Sequence, residues 1–89
     1  MFGRNQNYIK KLEVFRFCRA CNLKKADLSN KDLTEVNLIK ANLEGADLSN
    51  AKLYKSHLSE ANLKAANIKG TDLSNAKLYK SNLSKANLE

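Results

Sequence analysis

The sequence contains no proline and little glycine, cysteine, histidine or aromatic residue. It has three glycines, two cysteines and one histidine among 89 residues, and 7% of the residues are aromatic. Because proline is absent, backbone N–H groups along the chain are available to donate hydrogen bonds. Gly45 and Gly70 stand alone, so there is no glycine-rich phosphate loop, and we expect His57 to be a solvated surface residue. We predict that the protein is not an enzyme and has no catalytic residue, cofactor, metal or small-molecule substrate.

Long apolar segments are also absent. No run approaches the roughly 18 to 20 apolar residues that span a bilayer, so we predict no membrane insertion. Basic residues are spread through the N-terminal segment, which lacks the apolar centre of a secretory signal. Two cysteines without an evident disulfide framework agree with a reducing compartment. Together these observations predict a cytoplasmic protein.

The sequence is rich in large aliphatic residues at one fixed spacing of five, which we call the phase positions. Two residues before each phase position the side chain is usually small, and Lys31 is the exception. The phase positions are Leu23, Leu28, Leu33, Leu38, Leu43, Leu48, Leu53, Leu58, Leu63, Ile68, Leu73, Leu78, Leu83 and Leu88. A step of five residues turns an α-helix by about 140°, which scatters these side chains, and on a flat strand they would alternate between faces.

A chain that turns a corner every five residues would direct all phase positions toward one axis. Asn or Asp precedes most of them, and these residues favour tight turns because their side chains bond to the nearby backbone. The pattern therefore predicts a β-solenoid.

The chain resembles the pentapeptide repeat proteins, whose repeat is Ala, then Asp or Asn, then Leu and two variable residues. Ala26–Asn30 and Ala61–Leu63 fit this repeat directly. The resemblance implies an all-β fold, a right-handed quadrilateral β-helix with four repeats per coil, which gives about 3.5 coils over residues 21–89. Some family members protect DNA gyrase, apparently because an acidic rod resembles duplex DNA, whereas this chain has a net charge of +7.

A ten-residue segment bears on the number of sides. Asp47–Ser56 recurs identically as Asp72–Ser81, at a shift of 25 residues. A five-sided coil would stack the two copies, with Tyr54 beside Tyr79, whereas a four-sided coil would place them one face apart. We follow the family resemblance and predict four sides.

Residues 1–20 are predicted to form a short helical or irregular N-terminal cap. Tyr8, Leu12 and Phe15 have helical spacing, and we expect Phe15 and Phe17 to plug the apolar end of the first coil. A partner-binding amphipathic segment is the alternative. Because a buried unpaired ammonium is costly, we expect Lys31 either to extend to solvent or to distort the coil around it.

Cys18 and Cys21 have the C-x-x-C spacing of zinc half-sites and redox pairs. A zinc site needs more ligands than the nearby sequence offers, and Cys21 occupies a small position of the repeat. We interpret the pair as packing residues, with a metal or redox role as the alternative.

The C-terminal repeat leaves Leu83, Ala86 and Leu88 without a following coil in this sequence. Proteins usually cover such an edge. We predict a homodimer through this end, and the alternative is that the sequence is a piece of a longer protein.

Assigning repeats to four faces concentrates lysines on two adjacent faces, and we call these seven residues the lysine edge. Its members are Lys24, Lys25, Lys40, Lys64, Lys77, Lys80 and Lys85. Such an edge suits an acidic protein or a nucleic acid. We predict a non-enzymatic scaffold for protein–protein interaction or self-association. The alternative is a nucleic-acid- or DNA-topoisomerase-associated protein that uses the lysine edge.

Overall fold

The computed structural model describes the backbone of residues 4–89, so residues 1–3 of the predicted cap lie outside the described part. Helix α1 spans Arg4–Phe15 and is followed by a regular series of bridges and turns up to Asn87. Within the described residues the bridges are isolated parallel pairs, and none extends into a longer strand. Phe17 forms the first of these bridges, with Asn37.

Every bridge joins residues twenty positions apart. Asn22 pairs with Asn42, which pairs with Asn62, and the same register holds on the other faces. One coil therefore contains four five-residue repeats. This register places Tyr54 and Tyr79 on different faces, because stacking them would require pairs twenty-five positions apart.

Each corner is a tight turn closed by the backbone. The Ala26 N–H donates to the Leu23 carbonyl at 3.0 Å, and equivalent bonds recur at later corners. The second residue of each turn is in the left-handed region, for example Lys25 at φ 59°. Where the residue before the phase position is Asn or Asp, its side chain adds a second bond, as when the Lys24 N–H donates to Asn22 Oδ1 at 3.1 Å. The corner chemistry predicted from Asn and Asp is therefore present.

The phase positions point inward and form the core. Leu23 through Leu58 are fully buried at every phase position, Leu63 is 1% exposed, and Leu43, Leu53 and Leu63 line the axis as the solenoid prediction requires. The small positions also face inward and allow the backbones at the corners to approach the axis. Burial decreases toward the C-terminal end, where Leu83 is 37% exposed and Leu88 is 72% exposed.

Helix α1 contacts the core through residues other than the two predicted plugs. Ile9 and Leu12 are buried, whereas Phe15 is 63% exposed and Phe17 is 46% exposed, so the plug prediction was wrong. Ile9 and Leu12 share one helix face because they are three positions apart in the sequence. Phe17 lies immediately before the buried Cys18, and its side chain therefore takes the outward position of the repeat. Phe15 is the last residue of α1 and lies beyond the helix face that contacts the core.

Lys31 reaches helix α1. Its Nζ lies 3.1 Å from Glu13 Oε2, and the two side chains are 30% and 47% exposed. The backbone keeps the regular register here, with the Lys52 N–H donating to the Lys31 carbonyl at 2.9 Å. The first of the two expectations for Lys31 is therefore confirmed: its side chain extends outward, and the coil is not distorted.

Candidate functional site

The seven residues of the lysine edge are all exposed, and six of them lie at the two corners that flank one face. That face carries the column Asn22, Asn42, Asn62 and Asn82, in which Asn62 Nδ2 lies 3.5 Å from Asn42 Oδ1. Lys24, Lys25, Lys64 and Lys85 occupy the corner that follows this column, whereas Lys40 and Lys80 occupy the corner that precedes it. Lys77 lies one face away, in register with His57.

Two glutamates interrupt the lysine columns. Glu44 lies one coil from Lys24 and one coil from Lys64, and Glu60 separates Lys40 from Lys80 in the same way. Neighbouring coils are about 4.8 Å apart, so the lysines of one column are roughly 10 Å apart. The edge is therefore positive overall but does not form an unbroken basic column.

The face opposite the asparagine column alternates in charge. Asp32, Lys52 and Asp72 occupy successive coils of one column through parallel bridges. The Thr34 hydroxyl donates to Asp32 Oδ1 at 2.7 Å and the Ser74 hydroxyl donates to Asp72 Oδ1 at 2.6 Å. These bonds, together with the backbone N–H of the same residues and the charge of Lys52, lower the pKa of both carboxyl groups. This arrangement stabilises the corners and keeps the carboxyl groups of Asp32 and Asp72 ionised near neutral pH.

The C-x-x-C pair forms a disulfide. Cys18 occupies the buried phase position five residues before Leu23, Cys21 occupies the next small position, and their Cα atoms are 5.4 Å apart across one corner. Both sulfurs are therefore packing groups as well as partners in a bond. Since disulfides persist mainly in oxidising compartments, the bond removes one of the observations on which the cytoplasmic prediction rested.

A shallow hollow between two faces brings together residues that are distant in sequence. Glu35, Lys55, His57, Asn75 and Lys77 line it, and His57 is partly buried there. His57 was predicted to be a solvated surface residue. The spacing of twenty between His57 and Lys77 was the signal for their contact, but the neighbouring corner adds Glu35, Lys55 and Asn75 only once the coil is closed.

The C-terminal coil exposes apolar side chains and unpaired backbone. Leu83 and Leu88 are exposed and Ala86 is partly buried. One coil earlier, the Leu63 N–H donates to the Asn82 carbonyl at 2.7 Å. Within residues 4–89, the N–H groups of Leu83 and Leu88 have no such acceptor.

The other end of the molecule carries a second exposed apolar surface, which we call the aromatic tip and define as Val14, Phe15 and Phe17. Their side chains are 65%, 63% and 46% exposed. The two phenylalanine rings are 6.4 Å apart between centroids, and the Lys11 Nζ lies 5.1 Å from the Phe17 centroid. The tip was not foreseen from the sequence, because both phenylalanines were predicted to be buried.

Metal-binding clusters and membrane-spanning helices are both absent from the described part of the chain. Residues 4–89 contain no group of three or more His, Cys, Asp and Glu residues placed to hold a metal ion. They also contain no helix with the length and hydropathy needed to cross a membrane.

Comparison with known proteins gives one consistent family. The family model of pentapeptide repeats matches residues 18–53 and 56–89, in eight copies. A crystal structure of a pentapeptide repeat protein from Nostoc Pcc 7120 is 31% identical, with a TM-score of 0.56, over 94% of this chain and 74% of that one. A pentapeptide repeat protein from the Arabidopsis thaliana thylakoid lumen is 25% identical, with a TM-score of 0.47, over 80% of this chain and 64% of that one.

A further structure, a pentapeptide repeat protein involved in heterocyst differentiation regulation in Nostoc sp. strain PCC 7120, is 34% identical with a TM-score of 0.32. It is matched over 79% of this chain and 39% of its own. A comparison with curated proteins gave no match.

Proposed function

Because the chain belongs to the pentapeptide repeat family and has the right-handed β-helix fold of that family, we propose that it is a non-enzymatic scaffold that acts through protein–protein contacts. In this proposal the β-helix has about three and a half coils, α1 is its N-terminal cap, and the C-terminal coil is the contact surface. The partner is a second copy of the same chain.

The observation that carries this proposal is the combination of open backbone and exposed leucine at one end. N–H groups that pair between coils elsewhere in the stack lack acceptors at Leu83 and Leu88 among the described residues. A second C-terminal coil supplies carbonyl acceptors and covers both leucine side chains. Backbone pairing across an exposed edge is a common basis of strand-to-strand association.

The position of α1 limits the assembly to two copies. Ile9 and Leu12 of the helix are buried against the first coil, so this end cannot receive a coil from another molecule. Contact between two C-terminal ends uses the same surface on both partners and closes with twofold symmetry. The proposal therefore predicts a dimer and excludes a growing filament.

Solution mass tests the proposal. One chain has a mass of 10.0 kDa, and because one coil end is a small surface, we expect the mass to approach twice that value only as concentration rises. Replacing Leu83 and Leu88 by serine should abolish the dimer at all accessible concentrations. Tyr54→Ser is the matched control, because Tyr54 is 36% exposed and lies in a coil whose backbone is bonded to a neighbouring coil on both sides. A native chain that remains monomeric at high concentration would exclude self-association.

The lysine edge supports a second candidate, a nucleic-acid- or DNA-topoisomerase-associated protein. Seven exposed lysines on a chain of net charge +7 favour contact with phosphate groups. No arginine lies among the fourteen repeats, so the contacts would be sequence-independent ones to the phosphate backbone.

Salt-dependent binding to duplex DNA distinguishes this candidate from the scaffold. Replacing Lys64 and Lys80 by glutamine should lower affinity and reduce the slope of log affinity against log salt by roughly two, since each phosphate contact contributes about 0.9. Lys52→Gln is the control, because Lys52 lies between Asp32 and Asp72 on the opposite face. If Lys52→Gln lowers the affinity for DNA by as much per lysine removed, the binding depends on the total charge of the protein and not on the lysine edge.

A further inference from the structure

The aromatic tip is an unusual feature for the surface of a small protein. Val14, Phe15 and Phe17 are all at least 46% exposed, and they lie together where α1 ends and the first coil begins. Single exposed apolar residues are ordinary, but a contiguous apolar patch usually marks a contact surface. The tip lies at the end opposite the proposed dimer contact and has no part in that function.

The residues around the tip are basic. Between Gln6 and Ala20 the chain contains Lys10, Lys11, Arg16 and Arg19 and a single acidic residue, Glu13. The Glu13 carboxylate pairs with Lys31 at 3.1 Å, so its charge is balanced within the molecule. The ammonium of Lys11 already lies over the Phe17 ring. The tip therefore combines exposed aromatic surface with a positive border.

This combination indicates the chemistry of the partner. A second tip is disfavoured, because two positive borders would repel each other. A peptide ligand normally needs a groove, and the hollow beside α1 lies on its other flank, lined by Gln6, Asn7, Ile9, Lys10 and Glu13. Protruding apolar side chains surrounded by cations are the arrangement that binds an anionic membrane interface.

We propose that the aromatic tip docks on an anionic lipid surface, with Phe15 and Phe17 entering the interface between headgroups and acyl chains. Lys11 and Arg19 contact the lipid phosphates. Arg16 contributes charge but is held in place, since its guanidinium donates to the Asp32 and Thr34 carbonyls at 3.0 and 2.9 Å. This is adsorption at the surface and requires no spanning segment.

Co-sedimentation with vesicles tests the proposal. We expect the protein to bind vesicles that contain about 30% phosphatidylglycerol and not vesicles of phosphatidylcholine alone. Replacing both Phe15 and Phe17 by serine should weaken binding by about tenfold or more, because apolar insertion is lost while the net charge is unchanged. Tyr79→Ser removes an exposed aromatic side chain far from the tip and should bind like the native protein.

Several outcomes would overturn the proposal. These are absence of binding to the anionic vesicles, full binding by the double serine variant, and equal weakening by Tyr79→Ser. Phenylalanine-dependent binding to polyglutamate without vesicle binding would assign the tip to an acidic protein. If circular dichroism shows that the double variant is unfolded, Val14→Ser is measured in its place. We expect Val14→Ser to bind the anionic vesicles more weakly than the native protein, and unchanged binding would contradict the proposal. Because Leu83 and Leu88 are not altered, these results are independent of the dimer test.

Discussion

At the scale of single residues, Ser56 occupies a small position that is fully buried. Within the described part of the chain its Oγ has no hydrogen-bond partner, whereas the equivalent Ser81 Oγ donates to the Leu78 carbonyl at 2.8 Å. Ser56→Ala should therefore raise the free energy of unfolding by up to about 1 kcal/mol, because an unpaired hydroxyl is removed from the core. Ser81→Ala should lower it by about 0.5 to 1.5 kcal/mol. Urea unfolding of both variants measures the difference. A change of the same sign in the free energy of unfolding of the two variants would refute the interpretation.

Ala65 shows that corner geometry imposes strain on ordinary residues. It is exposed and adopts φ 59°, a conformation that costs an alanine about 1 to 2 kcal/mol. Ala65→Gly relieves this cost, but glycine also gives the unfolded chain more conformational entropy, which offsets part of the gain. We expect a net increase in the free energy of unfolding of about 0.5 kcal/mol. Ala65→Val should be destabilising, since a β-branched side chain fits this region poorly. Chemical unfolding compares the two variants, and a loss of stability in Ala65→Gly would contradict the argument.

At the scale of structural elements, the aspartate corners couple stability to pH. Side-chain and backbone hydrogen bonds from Ser29, Thr34 and Ser74 lower the pKa of Asp27, Asp32 and Asp72 respectively. A carboxyl group whose pKa is lower in the folded state contributes stability above its unfolded pKa of about 4. That contribution to stability is lost as the pH falls through the pKa that the carboxyl group has in the folded state. We expect the melting temperature to fall on acidification below about pH 4.

Asparagine substitution isolates these corners. Asn already accepts the same backbone bond at other corners, as when the Glu44 N–H donates to Asn42 Oδ1 at 3.1 Å. The combined Asp27→Asn, Asp32→Asn and Asp72→Asn variant should therefore fold and lose less stability between neutral and acidic pH. Thermal melts across this range provide the measurement. An acid-induced loss as large as that of the native protein would place the titrating groups elsewhere.

At the scale of the whole molecule, the contribution of a leucine depends on its position in the stack. Leu48 is fully buried between neighbouring coils, whereas Leu88 is 72% exposed. Leu48→Ala should cost about 2 to 5 kcal/mol through lost burial and a cavity. Leu88→Ala should cost about 0.5 kcal/mol or less at low concentration, where the chain is a monomer. Denaturant unfolding at two protein concentrations separates this effect from the proposed dimer contact.

The repeat spacing alone determined most of the architecture. A period of five fits neither a helix nor a flat strand, so the alternation of aliphatic, small and corner residues was sufficient to predict a solenoid with its leucines inside. Most of the corner bonds of Asn and Asp also followed from sequence, because they are made within two residues. The exposed lysines were predictable for the same local reason, although their use as a binding edge is still a prediction.

The tertiary structure decided every feature that depends on how coils meet. The twenty-residue register could not be read from the internal duplication at twenty-five, because backbone pairing between coils sets the number of sides. The same long-range contacts bring Lys31 to Glu13 and bury Leu12 while leaving Phe15 and Phe17 exposed. Hydrophobicity favours burial of all five apolar residues from Ile9 to Phe17, but one coil end has room for only the helix face that lies on it. Local sequence therefore specified the turn, and packing between distant residues specified the surfaces.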